Sequence, residues 1–337
     1  MTDLSILDLV RVTQDTDPRG ALDNSRDLAA HAENWGYRRF WVAEHHNMIG
    51  IASAATAVVI AHIAAGTSKI RVGAGGIMLP NHAPIVIAEQ FGTLARLYPD
   101  RIDLGLGRAP GTDQMTMRAL RRSLTNSDNF PQDVQELQAY FAPAGPNQKL
   151  QAVPAAGTEV PLWILGSSTY GAQLAAVLGL PYAFASHFAP EQLMHALQIY
   201  REHFEPSEQL AKPHAMVGVN IIAADTDAEA KRLWTTQQMS FTNMFRGTRG
   251  LSQPPIDDIE TYWSPAEKAQ AMGMLRLAIV GSKATVQAGL QRLFEQTGAD
   301  ELMVVSDVYD HKARLHSYEL IAQAHAALVA APEKVAC

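Results

Sequence analysis

Arg39-Phe40-Trp41-Val42-Ala43-Glu44-His45-His46-Asn47 opens as an apolar run and closes on an acid, two histidines and an amide. Phe40, Trp41 and Val42 favour an extended backbone, so the run reads as a strand. The polar cluster begins where the apolar run stops. In parallel α/β proteins, chemistry is placed at the carboxyl ends of strands. Glu44, His45 and His46 therefore mark a candidate site.

The flanking sequence sets the topology. Ser5 to Val10 reads as a first strand, and Arg11 to Asp23, with Pro18 and Gly20, as a loop. Ala21 to Trp35 has helical spacing and stops at Gly36. Strand, helix and strand make a parallel βαβ unit. The rhythm continues through strands at Lys69–Gly73, Arg101–Leu106, Pro161–Leu165, Tyr182–Ala185, His214–Ala223 and Glu301–Val305, with helical stretches between them. Early in the chain a doubly wound sheet would look the same. Eight strands alternating with helices predict a TIM-like (β/α)8 barrel. One domain is expected over residues 1–330, with a frayed tail over 331–337. Residues 237–274 break the rhythm and read as a late insertion of short helices and loops. Its aromatics Phe241, Phe245, Tyr262 and Trp263 suit a pocket cover or a partner surface. Leu277 to Val280 is expected to re-enter the core.

Composition narrows the function classes. The chain has 337 residues, 47% hydrophobic and 18% charged, the balance of an ordinary soluble, enzyme-sized protein. A net charge of −7 provides no basic face for nucleic acid or a membrane surface. The one cysteine, Cys337, allows no internal disulfide and makes a poor buried nucleophile. No basic segment followed by a long apolar run opens the chain, so a cytoplasmic protein without a membrane span is expected.

In a barrel, the loops after the strands open at one end. That end would gather Glu44-His45-His46, Gly75-Gly76, Asn81-His82, Arg108, Gly166-Ser167-Ser168-Thr169 and His187. Gly75-Gly76 implies backbone geometry that a side chain would prevent, or close approach to a flat ligand. Arg108, among small residues after a strand, suits an anion clamp. A Gly-Ser-Ser-Thr helix start offers backbone N–H groups, hydroxyls and the positive helix end, the elements of a phosphate cradle. Neither the Gly-x-Gly-x-x-Gly fingerprint after the first strand nor a P-loop is present, so a mononucleotide with one phosphate fits better than a dinucleotide. Adjacent histidines lack the i,i+4 spacing of a zinc helix and strand-end carboxylates are scarce, so no metal site is predicted. Trp41 is expected in the core.

Trp41 to Asn47, Gly73 to Pro80, Arg101 to Gly107 with Arg108, and Leu165-Gly166-Ser167-Ser168 resemble the corresponding stretches of the bacterial luciferase-like flavin monooxygenases. The likeness runs from about Ser5 to Leu328, and is greatest to the family's uncharacterised, non-luminescent bacterial members. It implies a TIM-like barrel with a late insertion. It also implies FMN, taken up as reduced FMN (FMNH2) from a separate flavin reductase, and dioxygen as co-substrate. A C4a-peroxyflavin would then oxygenate a small organic substrate. The family histidine near the flavin C4a position falls on His45, as acid–base or as a stabiliser, with Glu44 as a candidate to orient it. Gly75-Gly76 matches the place where some relatives carry a non-proline cis peptide beside the ring. Arg108 and Ser167 match the phosphate region, and relatives are commonly dimers, so a homodimer is expected. Some relatives use a deazaflavin and others bind FMN without turnover, so a deazaflavin-dependent oxidoreductase and a non-catalytic FMN-binding protein are the alternatives. Without a pocket cysteine, light emission is not expected.

Overall fold

The computed structural model describes residues 2–109, 113–122 and 128–330. Pro110 and Gly111 of the loop that carries Arg108, and the expected tail over 331–337 with Cys337, lie outside the described residues. The first half of the chain forms β1 (Asp3–Asp8), α1 (Pro18–Trp35), β2 (Arg39–Val42), α2 (Thr56–Ala64), β3 (Arg71–Met78), α3 (Pro84–Leu97), β4 (Ile102–Gly107), α4 (Gln114–Ala119) and α5 (Phe130–Phe141). Then come β5 (Leu162–Gly166), α6 (Thr169–Val177), β6 (Tyr182–Phe184), α7 (Leu193–Glu202), β7 (Ala215–Ala223) and α8 (Asp227–Arg246). The chain continues with α9 (Pro265–Met274), β8 (Ile279–Gly281), α10 (Lys283–Thr297), β9 (Glu301–Val305) and α11 (His311–Ala330).

β1 to β7 pair in order, β7 pairs with β9, and β9 returns to β1, so eight parallel strands close a barrel. These are the eight strands expected from the sequence. β8 pairs with Ile221–Ala223 at the far end of β7, outside the ring. Leu277 to Val280 is accordingly half-buried along the barrel flank, where core entry was expected.

Local sequence explains the barrel wall. Asp17 caps α1 by accepting from Gly20 N, Pro18 occupies the first turn, and Gly36 ends the helix at φ 84°. Alternate strand residues face outward, so Ile6, Phe40, Val72, Leu104, Ile164, Val217 and Val304 join the layer beneath the helices. Their neighbours Leu7, Trp41, Trp163, Ala183, Met216 and Met303 form a separate cluster that fills the lumen. Trp41 and Trp163 meet edge to face, with centroids 5.2 Å apart. Such a pair is worth about 0.5–1.5 kcal/mol beyond its buried area. Trp41 and the β4 backbone leave β3 little room: a Cβ on Gly73 would lie 2.9 Å from Trp41 Nε1 and 2.5 Å from Asp103 O.

A charged floor closes the barrel below the tryptophans. Arg39 donates from Nε to Glu301 Oε1 and from NH1 to Asp103 Oδ2, each at 2.7 Å. Arg71 donates to the other Asp103 oxygen at 2.6 Å, and Ser5 Oγ donates to Glu301. The Arg39 guanidinium also lies over the Trp163 ring at 4.7 Å.

The late excursion starts later than the sequence suggested. α8 continues unbroken to Arg246 and ends at Gly247, φ 69°. Residues 237–246 are therefore helix, in which Gln237, Gln238, Met239 and Thr242 stay buried. The true excursion lies over 247–264 and α9. Thr236 Oγ1 donates to Gln253 O, and Thr235 Oγ1 accepts from Ile256 N. Bridges Arg11–Ile51 and Thr13–Ser252 then tie the excursion to the loops after β1 and β2. No helix among the described residues is long and apolar enough to cross a membrane.

Candidate functional site

The β2 exit turns over a fixed backbone. Ser53 Oγ donates to Ala43 O, and His45 N donates to Ser53 O at 3.2 Å. Asn47, in the left-handed region at φ 55°, donates from Nδ2 to Asp113 Oδ2 at 2.9 Å. Asp113 is the N-cap of α4 and accepts from Thr116 N. The Asn47 amide, with those α4 donors, holds the Asp113 carboxyl at about 2. The β2 loop is thus docked onto the element that follows β4.

Glu44 turns away from solvent and is 1% exposed. Its Oε1 accepts from His46 Nε2 and from His82 Nε2, both at 2.8 Å, and its Oε2 accepts from Met78 N at 3.0 Å. Burial raises its pKa, but the hydrogen bonds from His46, His82 and Met78 outweigh it and leave the carboxyl below its usual value. His46 is raised by its hydrogen bond to Glu44. Among the described residues, Glu44, His46 and His82 form a group whose ligand atoms lie within 4.8 Å. Spacings of 2.8 Å are those of N–H to carboxylate hydrogen bonds, so the group stands as a hydrogen-bonded cluster. Glu44 therefore joins the β2 and β3 exits through histidines other than the adjacent His45.

β3 reaches the same mouth through Gly75 and Gly76, whose peptide is cis. The register between β3 and β4 shifts at this point. A Cβ on Gly75 would lie 2.8 Å from Leu7 Cδ1, and one on Gly76 would lie 2.7 Å from Gly105 O. The barrel packing itself demands both glycines. Beyond them, Asn81 is buried, and its carbonyl accepts from Arg122 Nε at 3.2 Å. Arg122 thus braces the β3 exit.

Arg108 follows β4 and is exposed, its guanidinium stacked 3.9 Å over the Tyr170 ring. Tyr170 is the second residue of α6. Gly166 ends β5, Ser167 is exposed, and Ser168 is the N-cap with no side-chain cap hydrogen bond. The first-turn amides of α6 are thus left to other acceptors. Tyr182 Oη donates to Ser168 O at 3.1 Å and fixes the turn. Arg108, Ser167, Ser168 and the α6 start form a continuous, cationic, amide-rich rim.

The sequence reading missed Tyr170, the platform under Arg108. It also missed Asn220 and Gln237, which are buried and bonded to each other at 2.8 Å near the mouth. Asn220 was legible as a lone polar residue within Val217-Gly-Val-Asn-Ile-Ile222.

A closed parallel barrel with polar groups and an anion-ready helix start at one mouth is the architecture of a (β/α)8 cofactor enzyme. The family described as luciferase-like monooxygenase matches residues 2–301. An Escherichia coli K12 protein described as a luciferase-like monooxygenase is 54% identical over 317 residues, covering 94% of this chain and 95% of its own. The Bacillus subtilis protein YvbT is 52% identical over 320 residues, 95% of each chain. The crystal structure of apo-MsnO8 superposes with a TM-score of 0.88 at 37% identity, covering 97% of this chain and 99% of that one. The chain belongs to the luciferase-like monooxygenase family. Its activity is that of a flavin monooxygenase, and family and fold imply FMN as the flavin.

Proposed function

We propose that this protein takes reduced FMN from a separate flavin reductase in the cytoplasm and uses dioxygen to oxygenate a small organic substrate at the barrel mouth. The observation that carries the reading is the pairing of Arg108 with the α6 start. An exposed guanidinium stacked on Tyr170 stands beside first-turn amides that Ser168 leaves uncapped. That donor set suits a phosphate monoester. When bound, the reduced flavin supplies the electrons that activate dioxygen.

The chain's own residues divide the remaining work. Arg108, Gly166, Ser167 and Ser168 hold the phosphate. Gly75 and Gly76 present backbone without side chains at the β3 exit, where the ring would rest. His45, half-buried in the β2 exit loop, donates or accepts a proton near the reacting centre. Glu44 holds His46 and His82 in place, so the β2 and β3 exits move as one unit. The excursion over 247–264, tied to the loops after β1 and β2, restricts water at the mouth. A homodimer is expected from the family likeness. Sedimentation velocity at micromolar concentration tests that part.

Anaerobic titration with reduced FMN, followed by rapid mixing with oxygen, tests the reading as a whole. Tight binding and an absorbance transient are expected. No binding and no transient would overturn it.

A further inference from the structure

β6 ends at Phe184, and the chain leaves through Ser186 and His187. Ser186 Oγ donates to Gly218 O of β7 at 2.6 Å. Asn220 Nδ2 donates to His187 O at 2.5 Å, Gln237 Nε2 to Asn220 Oδ1 at 2.8 Å, and Trp234 Nε1 to Gln237 Oε1 at 3.1 Å. β7 and α8 thus fix this loop through a buried relay. The His187 ring lies over Gly218, where a Cβ would come within 2.5 Å of Nδ1. Phe188 meets it edge to face, with centroids 4.8 Å apart.

So much of the fold places this ring, yet its Nδ1 is buried with no hydrogen-bond partner among the described residues. Nδ1 itself is packed onto Gly218 and closed to solvent, so the half-buried ring meets a ligand through its Nε2 edge. Burial, with His45 close by, holds the His187 pKa down to about 4. The ring is therefore neutral at physiological pH and offers one donor and one acceptor. His45 and His187 follow β2 and β6, whose carboxyl ends open at the same mouth.

We propose that His187 is a substrate-binding residue, its imidazole hydrogen-bonding the carbonyl or amide of an otherwise apolar substrate. The assignment rests on the flavin monooxygenase reading. A neutral ring suits an uncharged polar group, whereas a carboxylate or phosphate calls for a fixed cation. Phe188 supplies apolar surface beside it, and Gly218 keeps the space that the ring needs.

The test compares wild type, His187→Leu and His187→Gln, with a flavin reductase supplying reduced FMN. Decanal, 2-decanone and N-octylacetamide are the probes. For any probe that wild type oxygenates, His187→Leu should raise KM at least about tenfold with kcat within about threefold. His187→Gln, which keeps a donor and an acceptor, should restore KM to within about threefold. FMN affinity, read by flavin fluorescence, should stay unchanged in both. Gly218→Ala should reproduce the KM loss by displacing the ring. An unchanged KM in His187→Leu overturns the proposal. So does an equal loss in both His187 variants accompanied by weaker FMN binding, which marks a structural residue. Wild type that binds FMN but oxygenates none of the probes overturns the substrate class. Wild type that binds no FMN shows instead that the underlying reading has failed.

Discussion

Glu44 accepts the Nε2 proton of His46 at 2.8 Å inside the barrel mouth, and the two groups shift in opposite directions. Burial pushes Glu44 up, but hydrogen bonds from His46, His82 and Met78 bring it below its ordinary 4.5. The bond to Glu44 lifts His46 above its ordinary 6.5. Glu44's contribution to stability is complete above pH 4.5 and is lost as pH falls through its depressed folded value. His46's contribution is complete below pH 6.5 and is lost as pH rises through its elevated folded value. Both act together between those limits. Glu44→Gln should therefore lower Tm most between pH 4.5 and 6.5, with the deficit narrowing toward pH 9. Thermal unfolding followed by circular dichroism reads this directly. A deficit constant from pH 4.5 to 9 would show that the pair does not titrate as a unit.

Arg108→Ala tests the phosphate rim. The guanidinium is exposed and, among the described residues, is braced by stacking on Tyr170, so its removal should leave the fold intact. A lost charge-assisted hydrogen bond costs about 1.5–3 kcal/mol, or on the order of 10- to 100-fold in affinity. FMN should weaken by that factor, and riboflavin, which has no phosphate, by less than about threefold. Equal losses for both flavins would remove Arg108 from the clamp.

His45→Ala separates proton handling from binding. His45 N donates to Ser53 O at 3.2 Å, a backbone bond that the substitution keeps. FMN affinity and Tm should hold. The absorbance transient that follows oxygen mixing should decay about 100-fold faster, the low end of what a positioned acid–base group contributes. An unchanged decay would assign the proton chemistry to another group.

The eight barrel strands were legible because each is a short apolar run ended by a polar or glycine-containing stretch. Arg108 and the Gly166–Ser168 turn stood out for the same reason, as polar residues directly after strands. Other features depend on distances that spacing cannot show. Glu44 is adjacent to His45 in sequence but reaches His46 and His82, because carboxylate direction follows the loop's backbone turn. Helix α8 runs ten residues past the expected break, since its buried Gln237, Gln238 and Thr242 look like loop composition until their partners are known. Arg39 read as the polar start of a strand, yet it lies at the centre of the barrel floor.

Arg39→Met probes that floor. Arg39 neutralises Glu301 and shares Asp103 with Arg71, and Glu301 is fully buried. Methionine matches the aliphatic stem and keeps contact with Trp163, so the change removes charge more than volume. Stranding buried carboxylates costs about 3–5 kcal/mol. Urea unfolding should show that loss as a lower midpoint with an unchanged slope. Arg39→Lys should recover only part of it, because a single ammonium cannot span both carboxylates as the planar fork does. The deficit should also depend on pH. Burial drives the Glu301 pKa up, but His214, Arg39 and Ser5 together hold it below its usual value. Without Arg39 the burial effect gains weight, so Glu301 should take up a proton at a higher pH than in wild type. Acidification should then narrow the gap between Arg39→Met and wild type, as the stranded charge is neutralised. A gap that stays constant or widens on acidification would place the cost in packing around Trp41 and Trp163, not in the unpaired charge.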